Sequence, residues 1–364
     1  MPHVRAWGDL PGDDPERDAL AEAEREAERR REHRATADAV AAAGIDLDPL
    51  PPGSHRHGDL VHPSDHAHPH QHSEPGQPPI IGIVGAGAVG TALGVALTRA
   101  GWPVHAVASR DPARREQFRR VVEVGRVFGE PQPLIEEVEL IIVAIPDDAL
   151  APFAEGVRMY GGQAMIHTSG ALGADVLAPA AAAGTQLGSF HPLVAFADTE
   201  RAVAALRGAT VAIEGDDQLL ALLAEMAEAI GAQPVRLAPG SKGAYHAAAV
   251  LAAGGFVALL DAIAELGRVA GLDETGSVTI YGRLIEDTLG NARALGIGRA
   301  LTGPITRGDA GTLDAHLAIL AAHAPGVLPL YVAAAEREIV LAESRGALTP
   351  ARAAILRSSL ASAH

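Results

Sequence analysis

A chain of 364 residues with 48% hydrophobic content carries enough apolar surface for two domains of ordinary size. Its formal charge of -16 repels polyanions, and no basic stripe with interleaved aromatics runs along it, which sets nucleic acid aside as a partner. The absence of cysteine excludes disulfides, thiolate metal ligands and a cysteine nucleophile, and no apolar segment of the export type stands at the start, so a cytoplasmic setting is expected.

The first 78 residues differ from the rest. Over residues 13–43 acidic side chains alternate with arginine and alanine (Glu22, Arg25, Glu26, Glu28, Arg29), which suits a solvated helix with little face to bury. His55, His57, His62, His66, His68, His70 and His72 follow, and neutral imidazoles of this kind ligate zinc or nickel when a scaffold holds them. Neither a fixed scaffold nor an acidic cage accompanies them. Residues 1–78 are therefore expected to form a largely disordered, charged and histidine-rich extension, and no metal site is assigned.

From Ile80 onward short apolar runs alternate with helical patterns. Strands are expected over residues 80–84, 104–108, 140–144, 164–167, 187–190 and 210–213. That alternation predicts an α/β fold, a doubly wound Rossmann sheet that is mostly parallel, over residues 79–238. Beyond Pro239 and Gly240 the strand signals largely stop, and residues 239–364 are expected to form an all-helical domain broken at Gly271, Gly296 and 325–329.

The turn after the first of these strands reads Gly85-Ala86-Gly87-Ala88-Val89-Gly90, a G-x-G-x-x-G that opens a helix. Gly85 permits the tight turn, Gly87 lets backbone approach a pyrophosphate, and Gly90 lets helix pack closely on strand, with the free helix N–H groups holding the negative charge. An NAD enzyme places an acid about 20 residues further on to bind the ribose hydroxyl. Ser109 and Arg110 stand there instead. A hydroxyl and a guanidinium suit a 2′-phosphate, so NADP is the expected cofactor. Ile145 and Pro146, after the 140–144 strand, should border the same crevice, and Asp147 and Asp148 are read as the N-cap of the following helix.

Of the 29 basic side chains only Lys242 is a lysine, and Asn291 is the only asparagine. Arginine stays protonated at physiological pH, whereas lysine can exchange a proton, so the retained lysine draws notice as a chemical group. It opens a helical pattern that runs into the most apolar stretch, residues 247–260. At about 14 residues that stretch falls short of the roughly 20 needed to span a bilayer, and it is read as a buried core or subunit-interface helix, with no membrane association.

Several motifs together carry a resemblance. His167-Thr168-Ser169-Gly170-Ala171, Ser189-Phe190-His191-Pro192-Leu193, Lys242 to His246 with Tyr245, and Leu301-Thr302-Gly303-Pro304 running into Arg307-Gly308-Asp309 and His316-Leu317 look like Rossmann-like proteins whose C-terminal part is the domain of unknown function 2520. These are relatives of the 6-phosphogluconate dehydrogenase-like superfamily, near pyrroline-carboxylate and ketopantoate reductases. The resemblance covers about residues 79–361. It implies an NADP-type Rossmann domain, a helical domain that forms homodimers, and reductase activity. Related sequences usually carry an asparagine in the long helix where Ala253-Gly254-Gly255 stands here.

Reducing C=O or C=N by hydride needs a proton donor and a group that stabilises developing charge. Lys242 is the expected acid or electrostatic clamp, with His246 one helical turn on as its partner and His191 directed into the crevice. Ser169 and Gly170 should lie against the nicotinamide. Thr302, Arg307 and Asp309 admit two readings: a helix connection closed by an Arg–Asp pair, or a substrate pocket, shared with Asn291, in which Arg307 forks a carboxylate. The expected function is NADP-dependent reduction of a small carboxylated carbonyl or imine, ketopantoate being the first candidate by analogy. The alternative is a non-catalytic NADP(H)-binding regulator or scaffold.

Overall fold

The computed structural model describes residues 54–57, 60–63, 77–238 and 240–362. Contacts divide the chain into Met1–Pro69 and His70–His364. In the first unit β1 (Ser54–His57) pairs antiparallel with β2 (Leu60–Pro63), His55 opposite His62. Two strands thus stand where a disordered linker was expected. The signal is local: the sequence between the two runs, Gly58-Asp59, is a dipeptide of the kind that favours a hairpin connection. The helix expected over 13–43 and the histidines from His66 to His72 lie outside the described residues.

The second unit is built on eight strands: β3 (Ile81–Val84), β4 (Val104–Ala108), β5 (Arg126–Phe128), β6 (Leu140–Val143), β7 (Ala164–His167), β8 (Gln186–Pro192), β9 (Thr210–Glu214) and β10 (Gln233–Arg236). Their order is β10-β9-β8-β7-β6-β3-β4-β5, and every neighbouring pair is parallel except β8 and β9. Every residue of β3, β6 and β7 is buried, because helices cover both faces and no residue of a central parallel strand reaches water. β5 and β10 were not expected from the sequence. Both are short edge strands, mostly exposed and without an apolar run, and β10 contains Pro234, which only an edge tolerates.

Two apolar clusters flank the sheet. One gathers Leu93, Leu97, Phe118, Phe190 and Leu223 on one side; the other gathers Leu134, Ile135, Ile141, Leu150 and Leu177 on the opposite side. The chain leaves β3 first toward β4 and then crosses to β6, so the strand order reverses at the β3–β6 pair. In doubly wound sheets ligands bind outside the carboxyl ends of the strands at such a reversal.

Beyond β10 the described structure is helical. A long helix, α1 (Lys242–Val269), leads to α2 (Glu274–Leu295), which Asp273 caps through the Gly276 N–H. The closing helices bury Ile305, Leu313, Leu317, Ile339 and Leu356 in a separate cluster. The reading of residues 247–260 as a stretch of about 14 residues is corrected, and of its two alternatives, a core or a subunit-interface helix, the core is not observed. Gly254 and Gly255 do not break the helix but shift it into a π-turn at Leu251–Gly255, so helical structure runs unbroken for 28 residues, and its most apolar 18-residue window has a mean hydropathy of 2.1. Among the described residues it is the one helix long and apolar enough to cross a membrane, and only 11% of its most apolar window is buried. Leu251 and Val257 on it, and Val278, Ile280 and Leu284 on α2, are exposed.

Candidate functional site

The glycine-rich turn sits at the strand-order reversal. Gly85 has φ +109°, and a Cβ on it would overlap the Ala144 carbonyl, while one on Gly90 would overlap the carbonyl of Gly85. Only glycine lets these three backbones meet. Gly87 differs: a Cβ there would meet nothing within 4 Å. The space in front of it is open, and it forms the N-cap of α3 (Ala88–Arg99) with no side chain capping the helix. The first N–H groups of that helix are thereby free for an anion.

At the end of β4, Ser109 is partly buried and its carbonyl accepts from the Arg115 guanidinium. Arg110 is exposed. The nearest acid, Asp111, accepts from Ala113 N at 2.9 Å and Arg114 N at 3.2 Å, capping its own helix. Ile145 and Pro146 follow β6, whose continuation is fixed by Ala144 N donating to Val84 O at 2.7 Å. The capping role expected for Asp147 and Asp148 is corrected. Pro146 is the N-cap, and the two acids lie in the first turn of α4 (Asp147–Gly156), where their charge complements the helix dipole instead.

A histidine cluster stands at the carboxyl ends of β7 and β8. His167 is fully buried; its Nδ1 accepts from Ser169 N at 3.1 Å, so Nε2 carries the proton and donates to Gly173 O at 3.0 Å. Burial, and then the charge of Lys242, push its pKa down to about 4. His191 donates through Nδ1 to Thr168 O at 3.1 Å. Its Nε2 therefore holds a bare lone pair, and burial lowers its pKa and keeps it neutral. Tyr245 and His246 come from the first turns of α1. The His191 ring lies edge-on to both, with centroids 5.8 Å and 5.7 Å away. His191 Nε2, Tyr245 Oη and His246 Nδ1 are each buried without a hydrogen-bond partner among the described residues. Gly170 lies against the two imidazoles: a Cβ on it would come within 2.6 Å of His191 Nε2 and closer still to His246 Nδ1.

The neutral state of His167 makes stability depend on pH. The unfolded chain binds a proton at this residue near pH 6.5 and the folded chain only near 4. Between those values the unfolded state holds more protons, so the contribution is complete above 6.5 and is lost as pH falls toward 4. It amounts to about 3 kcal/mol at most. Denaturant unfolding across this window should show the slope in the wild type, and His167→Gln should flatten it.

Lys242, the first residue of α1, reaches back to the sheet. Its Nζ donates to Leu172 O and to Ser189 Oγ at 2.8 Å, and pairs with Glu214 Oε2 at 3.3 Å. Burial lowers its pKa while the Glu214 carboxylate opposes that shift.

The residues expected to line a substrate pocket are not drawn into this cluster by any hydrogen bond or ion pair among the described residues. Asn291 is exposed on α2, and Thr302 and Arg307 are exposed in the connection between helices. The Arg–Asp closure of that connection is corrected: Asp309 instead accepts from Thr312 N at 3.0 Å and Thr312 Oγ1 at 2.8 Å, capping the next helix, and these bonds hold its pKa down. The Arg307 carbonyl accepts from Arg352 at 2.9 Å, while its guanidinium acts on Asp309 only through its charge, without a hydrogen bond or close ion pair among the described residues.

Sequence reasoning assigned no role to His167, Ser189, Tyr245 or Glu214. The first three lie inside the motifs already quoted. Glu214, at the end of β9, carries no sequence signal, because its partners lie on segments remote in the chain.

Residues 68–192 match the family model of the Rossmann-like domain, and residues 209–338 match that of the domain of unknown function DUF2520. No curated protein matches the chain in sequence. Among solved structures, a Bacteroides fragilis protein assigned as an NADP oxidoreductase is similar at 23% identity and TM-score 0.59, over 72% of this chain and 98% of that one. A pyrroline-5-carboxylate reductase of Streptococcus pyogenes is similar at 17% identity and TM-score 0.53, over 73% and 99%. A reductive aminase of Aspergillus terreus, in complex with NADPH and ethyl levulinate, is similar at 17% identity and TM-score 0.55, over 78% and 99%. At such identities the likeness is one of fold.

Proposed function

The chain pairs a Rossmann-like domain with a C-terminal DUF2520 domain, and from that pairing we propose that it is a cytoplasmic NADP-dependent reductase of a small carboxylated carbonyl or imine. The observation that carries this reading is the set of unpartnered buried polar atoms at the carboxyl edge of a dinucleotide-type sheet: His191 Nε2 and His246 Nδ1 beside Gly170, and Tyr245 Oη on a ring packed against His191. Buried polar groups without partners mark a place where a ligand completes the hydrogen bonding.

The residues present fit NADP. The open space before Gly87 and the uncapped helix N-terminus suit a pyrophosphate across Gly85, Ala86, Gly87, Ala88, Val89 and Gly90. Ser109 and Arg110 suit a 2′-phosphate, with Asp111 occupied by its own helix. Ile145, Pro146, Ser169 and Gly170 would border the nicotinamide, and NADPH bound there supplies a hydride. The catalytic assignment covers His191, His246 and, with a role refined below, Lys242. His191 Nε2 accepts a hydrogen bond from a ligand N–H or O–H; the Tyr245 hydroxyl, whose pKa burial raises, stays protonated and can donate one. In the helical part Asn291, Thr302, Arg307 and Asp309 are proposed as substrate contacts, Arg307 forking the carboxylate. Ketopantoate is the first substrate to try.

We also propose a homodimer through the helical part. The exposed apolar side chains along α1 and α2 form faces that water disfavours and a second copy covers. Sedimentation should give twice the chain mass, and Leu251→Glu with Leu284→Glu should return the monomer.

A second reading, a non-catalytic NADP(H)-binding protein, is favoured by the π-turn at Leu251–Gly255. It offers only Ala253, Gly254 and Gly255 where the resemblance leads one to expect an asparagine. Loss of NADPH absorbance in a panel of 2-oxo acids and cyclic imines decides between the two. Turnover of any member supports the reductase, and tight NADPH binding with no turnover across the panel supports the binder.

A further inference from the structure

The Lys242 ammonium has three protons and three protein acceptors: Leu172 O, Ser189 Oγ and Glu214 Oε2. Its side chain is only 13% exposed. No proton of the group remains directed at a ligand. Glu214 closes the arrangement, since its Oε2 also accepts from Ser189 Oγ at 3.2 Å and from Ala174 N at 3.2 Å.

These bonds converge on one loop, residues 169–174, which follows β7 and carries Gly170. Its first residue is held by Ser169 N donating to His167, and the Ser169 hydroxyl accepts from Ala171 N and Leu172 N, both at 3.1 Å. Its far end is held by Lys242 at the Leu172 carbonyl, by His167 at Gly173 O and by Glu214 at Ala174 N. No residue of α1 between Lys242 and Val250 is buried. Among the described residues, the hydrogen bonds and ion pair that tie the start of this helix to the sheet are those of the Lys242 ammonium.

We infer that Lys242 is a positioning residue: with Ser189 and Glu214 it clamps the 169–174 loop to the first turn of α1, and so fixes Gly170 against His191 and His246. The inference rests on the NADP reductase reading above, because it assigns the loop to the nicotinamide half of the cofactor. A lysine suits the task because three donors radiate from one compact point, which a planar guanidinium cannot reproduce.

The test compares two ligands on the full-length protein, NADPH and adenosine 2′,5′-bisphosphate, which lacks the nicotinamide half. Lys242→Met and Glu214→Gln should each weaken NADPH about tenfold, the scale of a lost charged hydrogen bond, and leave the bisphosphate unchanged. The double variant should be no weaker than the weaker single, since both act through one clamp. Equal weakening of both ligands, or additive losses in the double variant, would overturn the inference by showing a diffuse structural effect or two independent ones. Should Lys242→Met fail to fold, Ser189→Ala, which removes only the bridging hydroxyl, should give a smaller loss confined to NADPH; parity there overturns the clamp. Wild-type protein that binds no NADPH overturns the reductase reading and this inference with it. Wild-type binding with every variant at parity overturns this inference alone.

Discussion

Arg110→Asp is expected to invert the cofactor preference of this protein. In the wild type NADPH should bind at least about tenfold more tightly than NADH, because a guanidinium and the Ser109 hydroxyl stand at the end of β4 where an acid would select the ribose diol. The substitution removes a charge-assisted partner of the 2′-phosphate and puts a carboxylate in its place, so the ratio of the two dissociation constants should move by about 100-fold, one factor of ten for each change. The geometry makes the experiment clean. Arg110 is exposed, and the acid that caps the following helix is Asp111, so the fold has no stake in the substituted side chain. Fluorescence titrations giving equal dissociation constants for the two cofactors in the wild type would refute the assignment of Ser109 and Arg110.

How much of this was legible in the sequence depends on where the determining contacts lie. The central strands were readable because burial on both faces forces continuous apolar runs such as Leu140–Val143. The glycine turn was readable because each glycine answers a local backbone demand. Edge strands were not, since Arg126–Phe128 and Gln233–Arg236 are half solvated and have no run to show. The long helix was misjudged for a different reason. Its two glycines read as interruptions, but a π-turn absorbs them, and the apolar side chains, read as lining either a core or a subunit interface, lie exposed in the single chain. In the site, the retained lysine was conspicuous, yet its role was not. Whether an ammonium is free or fully bonded depends on Leu172, Ser189 and Glu214, which are distant in sequence and meet only in the fold.

Gly170→Ala is expected to cripple the site while sparing the fold. Gly170 does not have a left-handed backbone, so alanine can adopt its conformation. The added methyl would instead collide with two side-chain tips, His191 at 2.6 Å from Nε2 and 2.8 Å from Cε1, and His246 at Nδ1. Imidazoles can swing aside at little cost, which sets this position apart from Gly90, where the obstacle is the unyielding backbone carbonyl of Gly85. The melting temperature should therefore fall far less for Gly170→Ala than for Gly90→Ala. Activity should behave in the opposite sense from stability. A methyl group held here forces both rings away from the carbon they share, and displacement of a reacting group by about 1 Å costs roughly 100-fold in rate. His191 is the more constrained of the two, because moving it strains the bond from Nδ1 to Thr168 O. Once a substrate has been found, kcat of Gly170→Ala should drop by about that factor with the fold intact by circular dichroism. A variant that keeps both its melting temperature and its kcat would show that the face of Gly170 shared by the two histidines is not where the reaction takes place.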